Sequence, residues 1–245
     1  MTPPLLSIVI ACRNPGPPLR AALDSVGVPP GTDCELIVVD GASTDGTREW
    51  LDLQRARLGA LISEPDGGVY DAMNKGVAVA RGDWVLFLGA DDRLQAGALT
   101  ALAPVLRSTD AGVVVGEAAY DDGRLYRLGA PTVAVRRNFV HHQAVCYRRT
   151  LFATHGPFET GLRIMADYEF NLRLLNAGVK FQAVPTRTAT CGSGGLSDAG
   201  GWTGYGEEIT VRHRHFPAWQ CWLWDAGSVL RFLRKKLRRL FFSHG

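Results

Sequence analysis

The run Trp84, Val85, Leu86, Phe87, Leu88 constrains the fold more than any other stretch of the chain. Its apolar side chains do not alternate with polar ones, so both faces must be covered, as in the middle of a mainly parallel sheet with helices on each side. Gly89-Ala90-Asp91-Asp92 follows at once. Open α/β sheets bind ligands in the crevice outside the carboxyl ends of their strands, and a carboxylate pair there suits a hard divalent cation. A plainer role also fits, with Asp92 capping a helix that begins near Gln95 and Asp91 in solvent.

Upstream, 6–11 and 36–40 are short β-branched runs on either side of a helix-like segment, 18–26, and together they make a βαβ unit. Ser43-Thr44-Asp45 can cap a second helix reaching about Leu58. A third strand is expected over 60–63 and a helix over 70–80. Beyond Asp92 the pattern predicts a helix over 95–106, a strand over 113–115, a turn at Asp122-Gly123 before 125–128, a helix from Met165 to Gly178 and a strand over 179–184. Alternation of strand and helix is strongest before Asp92. We therefore expect one domain, 1–215, with a nucleotide-binding half (1–92) and a recognition half (93–215), followed by a tail, 216–245. Gly192, Gly194, Gly195, Gly200, Gly201, Gly204 and Gly206 crowd one region, which reads as a mobile loop, either a lid over substrate or a plain connection.

Hydrophobic residues make up 46% of the 245 residues and charged residues 21%, enough apolar surface for a large core and against disorder. The five cysteines are scattered with no C-x-x-C pair, which argues against a zinc site or a disulfide framework and suits a reducing cytoplasm. The first residues lack a basic leader and read as the first strand, and no run of eighteen apolar residues predicts a membrane span. The net charge is +3, but six of the 27 basic residues, Arg231, Arg234, Lys235, Lys236, Arg238 and Arg239, sit in the tail. Without them the balance turns acidic, which disfavours nucleic acid as a partner. The turn after the first strand, Ala11-Cys12-Arg13-Asn14-Pro15-Gly16, contains no G-x-G-x-x-G, against a dinucleotide oxidoreductase. Nor is it the glycine-rich basic turn of a sugar nucleotidyltransferase.

Three segments in order, VVDGASTDGT, SEPDGGVYDAMNKG and GDWVLFLGADD, resemble the family 2 glycosyltransferases over roughly residues 5–190. The resemblance implies a GT-A fold, a Rossmann-like mainly parallel sheet flanked by helices. It implies transfer of a sugar from a nucleotide-diphosphate donor to a hydroxyl with inversion, on a glycan or lipid-linked acceptor in bacterial glycan synthesis. A non-catalytic nucleotide- or glycan-binding protein on the same fold is the alternative. Asp40 matches the aspartate that contacts the base, and Asp91 the last acid of the D-x-D metal motif, in which Gly89 replaces the first. The expected ion is Mg²⁺ or Mn²⁺, on Asp91 aided by Asp92. Ala11 and Arg13 at the exit of the first strand, Ser43, Asp66, Asp71, Asn74 and Lys75 complete the expected donor site, Arg13 packing on the base and Lys75 either meeting phosphate or standing in solvent.

MADYEFNLRLL resembles the acidic pair at the start of the family's acceptor-side helix, with Ala166 in place of the first acid and Asp167 as the general base. Asp167 could equally be a helix cap, and Glu169 is the second choice as base. HHQAVCYRR resembles the acceptor-side H-Q segment, which implies His142 and Gln143 at the acceptor; a histidine here also suits a metal ligand, a phosphate donor or a structural hydrogen-bond partner, the structural role leading for His141. Oligomeric state is open.

In the tail, Leu230, Leu233, Leu237 and Leu240 recur at helical spacing, with Phe232, Phe241 and Phe242 widening the apolar face and Trp219, Trp222 and Trp224 preceding it. This predicts an amphipathic helix that lies on an anionic membrane surface, at the inner face of the cell membrane, or packs on protein.

Overall fold

The computed structural model describes residues 3–27, 33–192 and 201–242, with side chains through Leu237. Nine strands form one sheet: β1 (Leu6–Cys12), β2 (Cys34–Asp40), β3 (Ala60–Ser63), β4 (Trp84–Gly89), β5 (Arg93–Leu94), β6 (Val113–Tyr120), β7 (Leu125–Tyr126), β8 (Val145–Arg148) and β9 (Phe181–Cys191). Their spatial order is β3-β2-β1-β4-β8-β6-β9-β5, with β7 beside β6. Eight α-helices accompany them among the described residues: α1 (Pro18–Val26), α2 (Thr47–Leu53), α3 (Val69–Val79), α4 (Ala98–Ser108), α5 (Thr150–His155), α6 (Ala166–Asn176), α7 (Trp202–His215) and α8 (Ala218–Phe242).

β4 is buried on both faces, as its unbroken apolar run requires. Val85 and Phe87 join a core with Tyr70 and Met73 of α3 and Phe170 of α6, while Trp84, Leu86 and Leu88 join another with Leu19 and Leu23 of α1 and Leu102 of α4. β1 pairs in parallel with both β2 and β4, in a register that sets Cys12 beside Asp40 and Ala11 beside Gly89. The carboxyl ends of three strands therefore open onto one crevice. The sheet is parallel through β3-β2-β1-β4 and then becomes mixed, because β8 runs antiparallel to both β4 and β6.

β6 and β9 run longer than their apolar cores suggested, paired in parallel through an irregularity between Val115 and Ala118. Gly116 lies there, and a side chain on it would collide with the Thr188 hydroxyl and the Thr186 carbonyl. The expected second helix stops at Leu53 and tightens into a 3₁₀ turn, Arg55–Arg57. The glycine-rich loop is partly corrected: Gly204 and Gly206 lie within α7, while Gly194, Gly195 and Gly200 fall outside the described residues.

The tail is bolted to the body by Arg212 of α7, whose side chain is fully buried. It donates to Glu208 at 2.5 Å, to the Val135 carbonyl at 2.7 Å, to the Arg136 carbonyl at 3.1 Å, to Ser228 of α8 at 3.0 Å, and to Asp225 of α8.

Candidate active site

The donor-side residues gather where β1 and β2 end. Asp40 is fully buried; its carboxylate accepts the Ser63 hydroxyl at 2.6 Å and the Ser43 N–H at 3.2 Å. Between them Ala42 is held at φ 55°, a left-handed conformation that costs a side-chain-bearing residue about 1 kcal/mol and is kept by these bonds. The Ser43 hydroxyl accepts the Asn14 N–H, and the Asn14 carboxamide accepts the Thr44 N–H, each at 2.7 Å. The end of β1, which carries Ala11, and the turns carrying Arg13 and Ser43 are thus stitched into one rim, with Arg13 exposed on it. Asp66 lies over Gly41, where any side chain would strike its carboxylate, and accepts the Gly68 N–H at 2.9 Å.

Three expected donor residues prove to be committed within the protein. Lys75 pairs with Glu64 at 2.8 Å, donates to the Pro65 carbonyl at 2.8 Å and stands 3.6 Å from Asp71. The bond to Glu64 raises its pKa, and its charge serves to shape the 64–71 loop. Asp71 accepts the Gly67 N–H at 2.9 Å in the same loop. Asn74 donates to the Phe158 carbonyl and accepts its N–H, both at 2.9 Å, which ties α3 to the 156–162 loop. Asn74 and Lys75 thus brace the 64–71 and 156–162 loops beside the donor-side residues.

The two aspartates after β4 differ sharply. Asp91 is exposed and, among the described residues, accepts no hydrogen bond. Asp92 is buried; it accepts the Gly89 N–H at 3.1 Å, the Gln143 carboxamide N–H at 2.9 Å and the Gly192 N–H at 3.1 Å. Burial raises its pKa against the opposing effect of these bonds. A side chain on Gly89 would collide with the Asp92 carboxylate, so Asp92 occupies the space that a first acid of D-x-D would need. Asp92, expected to aid Asp91 as a metal ligand, accepts three N–H groups that brace the turn after β4. Among the described residues no cluster of three or more His, Cys, Asp or Glu side chains could hold a metal alone. The donor set still fits Mg²⁺ or Mn²⁺, which commonly take one or two protein carboxylates and complete their shell with substrate phosphates and water.

Across the crevice, Asp167 is buried in the first turn of α6. The Tyr70 hydroxyl lies 2.7 Å from the Ile164 carbonyl and 3.1 Å from Oδ1 of Asp167, a shared hydrogen bond. Asn138 donates to Oδ2 at 2.7 Å, and Nδ1 of His142 is 3.7 Å from the same oxygen. Burial alone would push the carboxyl up, but His142 and the Tyr70 hydroxyl outweigh it and hold it below the usual carboxylate range. Burial also raises the Tyr70 pKa well above its ordinary value, so Tyr70 stays a donor. His142 and Gln143, neighbours in the chain, thus bridge the site: one faces Asp167 and the other holds Asp92. Gln143, expected at the acceptor, donates its carboxamide N–H to the Asp92 carboxylate.

Glu169, the second choice as base, is held in ion pairs. It is clamped by Arg173 at 2.5 Å and His215 at 3.3 Å, on the side of α6 that packs against α7. Three further side chains, unexpected from the sequence, shape this part of the site: Tyr70, within SEPDGGVYDAMNKG, and Asn138 and Glu207, which lie in no such motif. Glu207 accepts the N–H groups of Arg163 and Ile164 at 2.8 Å and of Met165 at 3.0 Å, and so fixes the entry to α6. Its place in the glycine-rich stretch concealed it.

The Nε2 of His141 lies 2.6 Å from the Tyr120 hydroxyl, and its ring stands between Tyr120 and Tyr126. Burial lowers its pKa from 6.5 to about 4. The unfolded chain therefore binds a proton between those values that the native state refuses, and stability falls as pH drops from 6.5 towards 4, by up to about 3 kcal/mol. Urea midpoints at pH 7 and pH 5 should converge in His141→Gln; an undiminished gap overturns this attribution.

Residues 7–162 match the family described as Glycosyl transferase family 2. A PGL/p-HBAD biosynthesis glycosyltransferase of Mycobacterium bovis (strain BCG / Pasteur 1173P2) is 38% identical over 181 residues, covering 71% of this chain and 70% of the relative. A glycosyltransferase of Mycobacterium tuberculosis (strain H37Rv) is 32% identical over 194 residues, covering 75% and 74%. Among solved structures, Staphylococcus aureus TarS 1-349 in complex with UDP-GlcNAc superposes with TM-score 0.68 at 20% identity over 84% of this chain; the chain spans 64% of that protein's length. The mannosyltransferase PcManGT of Pyrobaculum calidifontis, in complex with GDP-Man and Mn²⁺, gives TM-score 0.59 at 20% identity, covering 88% and 62%. The fold is GT-A, and the chain belongs to the family 2 glycosyltransferases.

Proposed function

We propose that this glycosyltransferase moves a sugar from a nucleotide-diphosphate donor to an acceptor hydroxyl by single displacement with inversion. Asp167 accepts the hydroxyl proton as the acceptor oxygen bonds to the anomeric carbon. The bond from that carbon to the diphosphate oxygen breaks, and the nucleoside diphosphate leaves with the electron pair. The observation that carries this reading is the buried Asp167 carboxylate, kept ionised by Tyr70, Asn138 and His142 and joined through the His142-Gln143 pair to the acidic turn after β4. An ionised carboxylate aimed by three neighbours is ready to take a proton without reorganising.

Ala11, Arg13, Asp40, Ser43 and Asp66 line the nucleotide end of the crevice, with Asp71 supporting the loop beneath. Asp91 is the protein ligand for Mg²⁺ or Mn²⁺, and a bound ion supplies Lewis-acid stabilisation of the charge on the leaving diphosphate. His142 faces the acceptor. Glycan and lipid-linked hydroxyls are the first acceptors to try.

The test is a panel that includes UDP-GlcNAc and GDP-Man, followed by nucleoside-diphosphate release with and without Mn²⁺ and acceptor. No release from any donor sinks the reading. Asp91→Asn should weaken metal-dependent donor binding by roughly 10–100-fold, while nucleoside binding without metal is unchanged. Calorimetric titration of the donor with and without Mn²⁺ checks it, and equal affinity for variant and parent rejects Asp91 as the ligand.

A further inference from the structure

The helix α8 is amphipathic in an unusual sense: its polar side faces the protein and its apolar side faces out. Cys221 and Ser228 are buried against the body, and Asp225 pairs with Arg212 and His213 of α7. Arg231 pairs with Glu208 at 2.6 Å, and Phe232 packs edge-on against Trp202 and Tyr205 at ring separations of 5.2 and 5.7 Å. The opposite side carries Trp219, Trp222, Leu223, Leu230, Leu233 and Leu237, between 45% and 70% exposed. At about 100° per residue these six fall within one stripe, and at 1.5 Å per residue the stripe runs about 27 Å along the helix. Seven of the ten large exposed hydrophobic side chains among the described residues lie on α8, so the patch is a property of this helix and not of the surface at large.

We infer that this stripe docks on an anionic lipid surface, with α8 lying in the plane of the interface. Cations flank it, with Arg234 and Lys236 on its two sides, and no acidic residue occurs after Asp225. Anionic headgroups complement that charge as the leucines enter the acyl boundary, and the tryptophans at the amino-terminal end suit the headgroup level. No helix among the described residues is long and apolar enough to cross a membrane, consistent with a helix that lies on one. A second copy of the chain suits the stripe poorly. Two α8 helices side by side in parallel would bring their cationic flanks together, and the antiparallel pair offers those flanks only Asp225, already engaged with Arg212 and His213. Because Arg212 binds Asp225 and Ser228 of α8 and also the Val135 and Arg136 carbonyls, docking would orient the whole catalytic body.

Flotation of the full chain with vesicles of phosphatidylcholine alone or with 30% phosphatidylglycerol tests this without donor or acceptor, so its outcome is independent of the transfer reaction. Binding is expected on the anionic vesicles, with a blue shift of tryptophan emission. Leu230→Glu/Leu233→Glu should lower it at least tenfold with an unchanged melting temperature, since both side chains are exposed. Arg234→Gln/Lys236→Gln should remove most of the preference for anionic lipid. Absence of binding by the parent chain, or binding unaffected by the leucine changes, overturns the inference. So does a dimer in sedimentation velocity that Leu230→Glu dissolves while vesicle binding is absent, which would assign the stripe to a second copy.

Discussion

Asp167→Asn is expected to slow transfer by roughly 10²–10⁴-fold, the usual contribution of a positioned general base. Asparagine has the shape of aspartate and can still accept from Tyr70 or Asn138, but it takes no proton from the acceptor. Donor affinity should stay within about twofold, because the role proposed for Asp167 concerns the acceptor hydroxyl alone, and the loss should appear in kcat with little change in KM. Transfer at the parent rate rejects the assignment.

The pH dependence gives a second readout. The carboxyl is held below its ordinary value, so the competent ionised form persists through neutral and mildly acidic pH and is lost only as pH falls through that lowered value. Folding stability follows the same sign: the contribution of Asp167 is present above the unfolded-state pKa and disappears as the carboxyl protonates in the native state. The His141 effect begins at higher pH, so the profile must be taken with the folded fraction monitored alongside. His142→Ala should move the acid limb of the rate profile upward, because it removes the largest of the influences that lower the Asp167 pKa.

Arg212→Met is expected to cost about 3–5 kcal/mol, the penalty typical when one partner of a buried ion pair is deleted and its counter-charge is left behind. Glu208 would keep Arg231 and Asp225 would keep His213, yet both lose their buried partner, and the carbonyls of Val135 and Arg136 lose their donor. For a chain of this size the melting temperature should fall by roughly 6–20 °C. Arg212→Met/Glu208→Leu should recover part of the loss by removing the orphaned carboxylate, which separates a charge effect from a packing effect. A shift under 3 °C for Arg212→Met would falsify the view that this cluster holds the tail. The segment it braces leads to Asn138, so the single variant should also lower kcat, through the loosened hydrogen bond to Asp167.

Much of the architecture could be read from the chain because it depends on local pattern. The unbroken apolar run in β4 demands cover on both faces wherever it sits, and the β-branched runs at β1 and β2, separated by a helix-length segment, leave little choice but a right-handed parallel unit. With strands in that register, Asp40 and Asp91 had to come to the carboxyl end of the sheet, where open α/β folds bind ligands. The spacing of leucines in α8 likewise shows an apolar stripe without reference to the rest of the molecule.

The allocation of hydrogen bonds was settled in three dimensions. Asp91 and Asp92 are chemically identical and adjacent, and what separates them is that Gln143 and Gly192, from distant parts of the chain, take up the carboxylate of one and leave the other exposed. Asn74 and Lys75 sit in the motif that resembles a donor site, yet Phe158 and Glu64 engage their side chains. Asp167 acquires its partners from α3, from the segment before β8 and from the His142 turn, contacts spanning up to 97 residues of sequence. The stripe on α8 faces outward because Arg212 holds the polar side of the helix against the body. A side chain's type sets which bonds it can make, whereas the partners that claim those bonds are brought to it by packing from elsewhere in the chain.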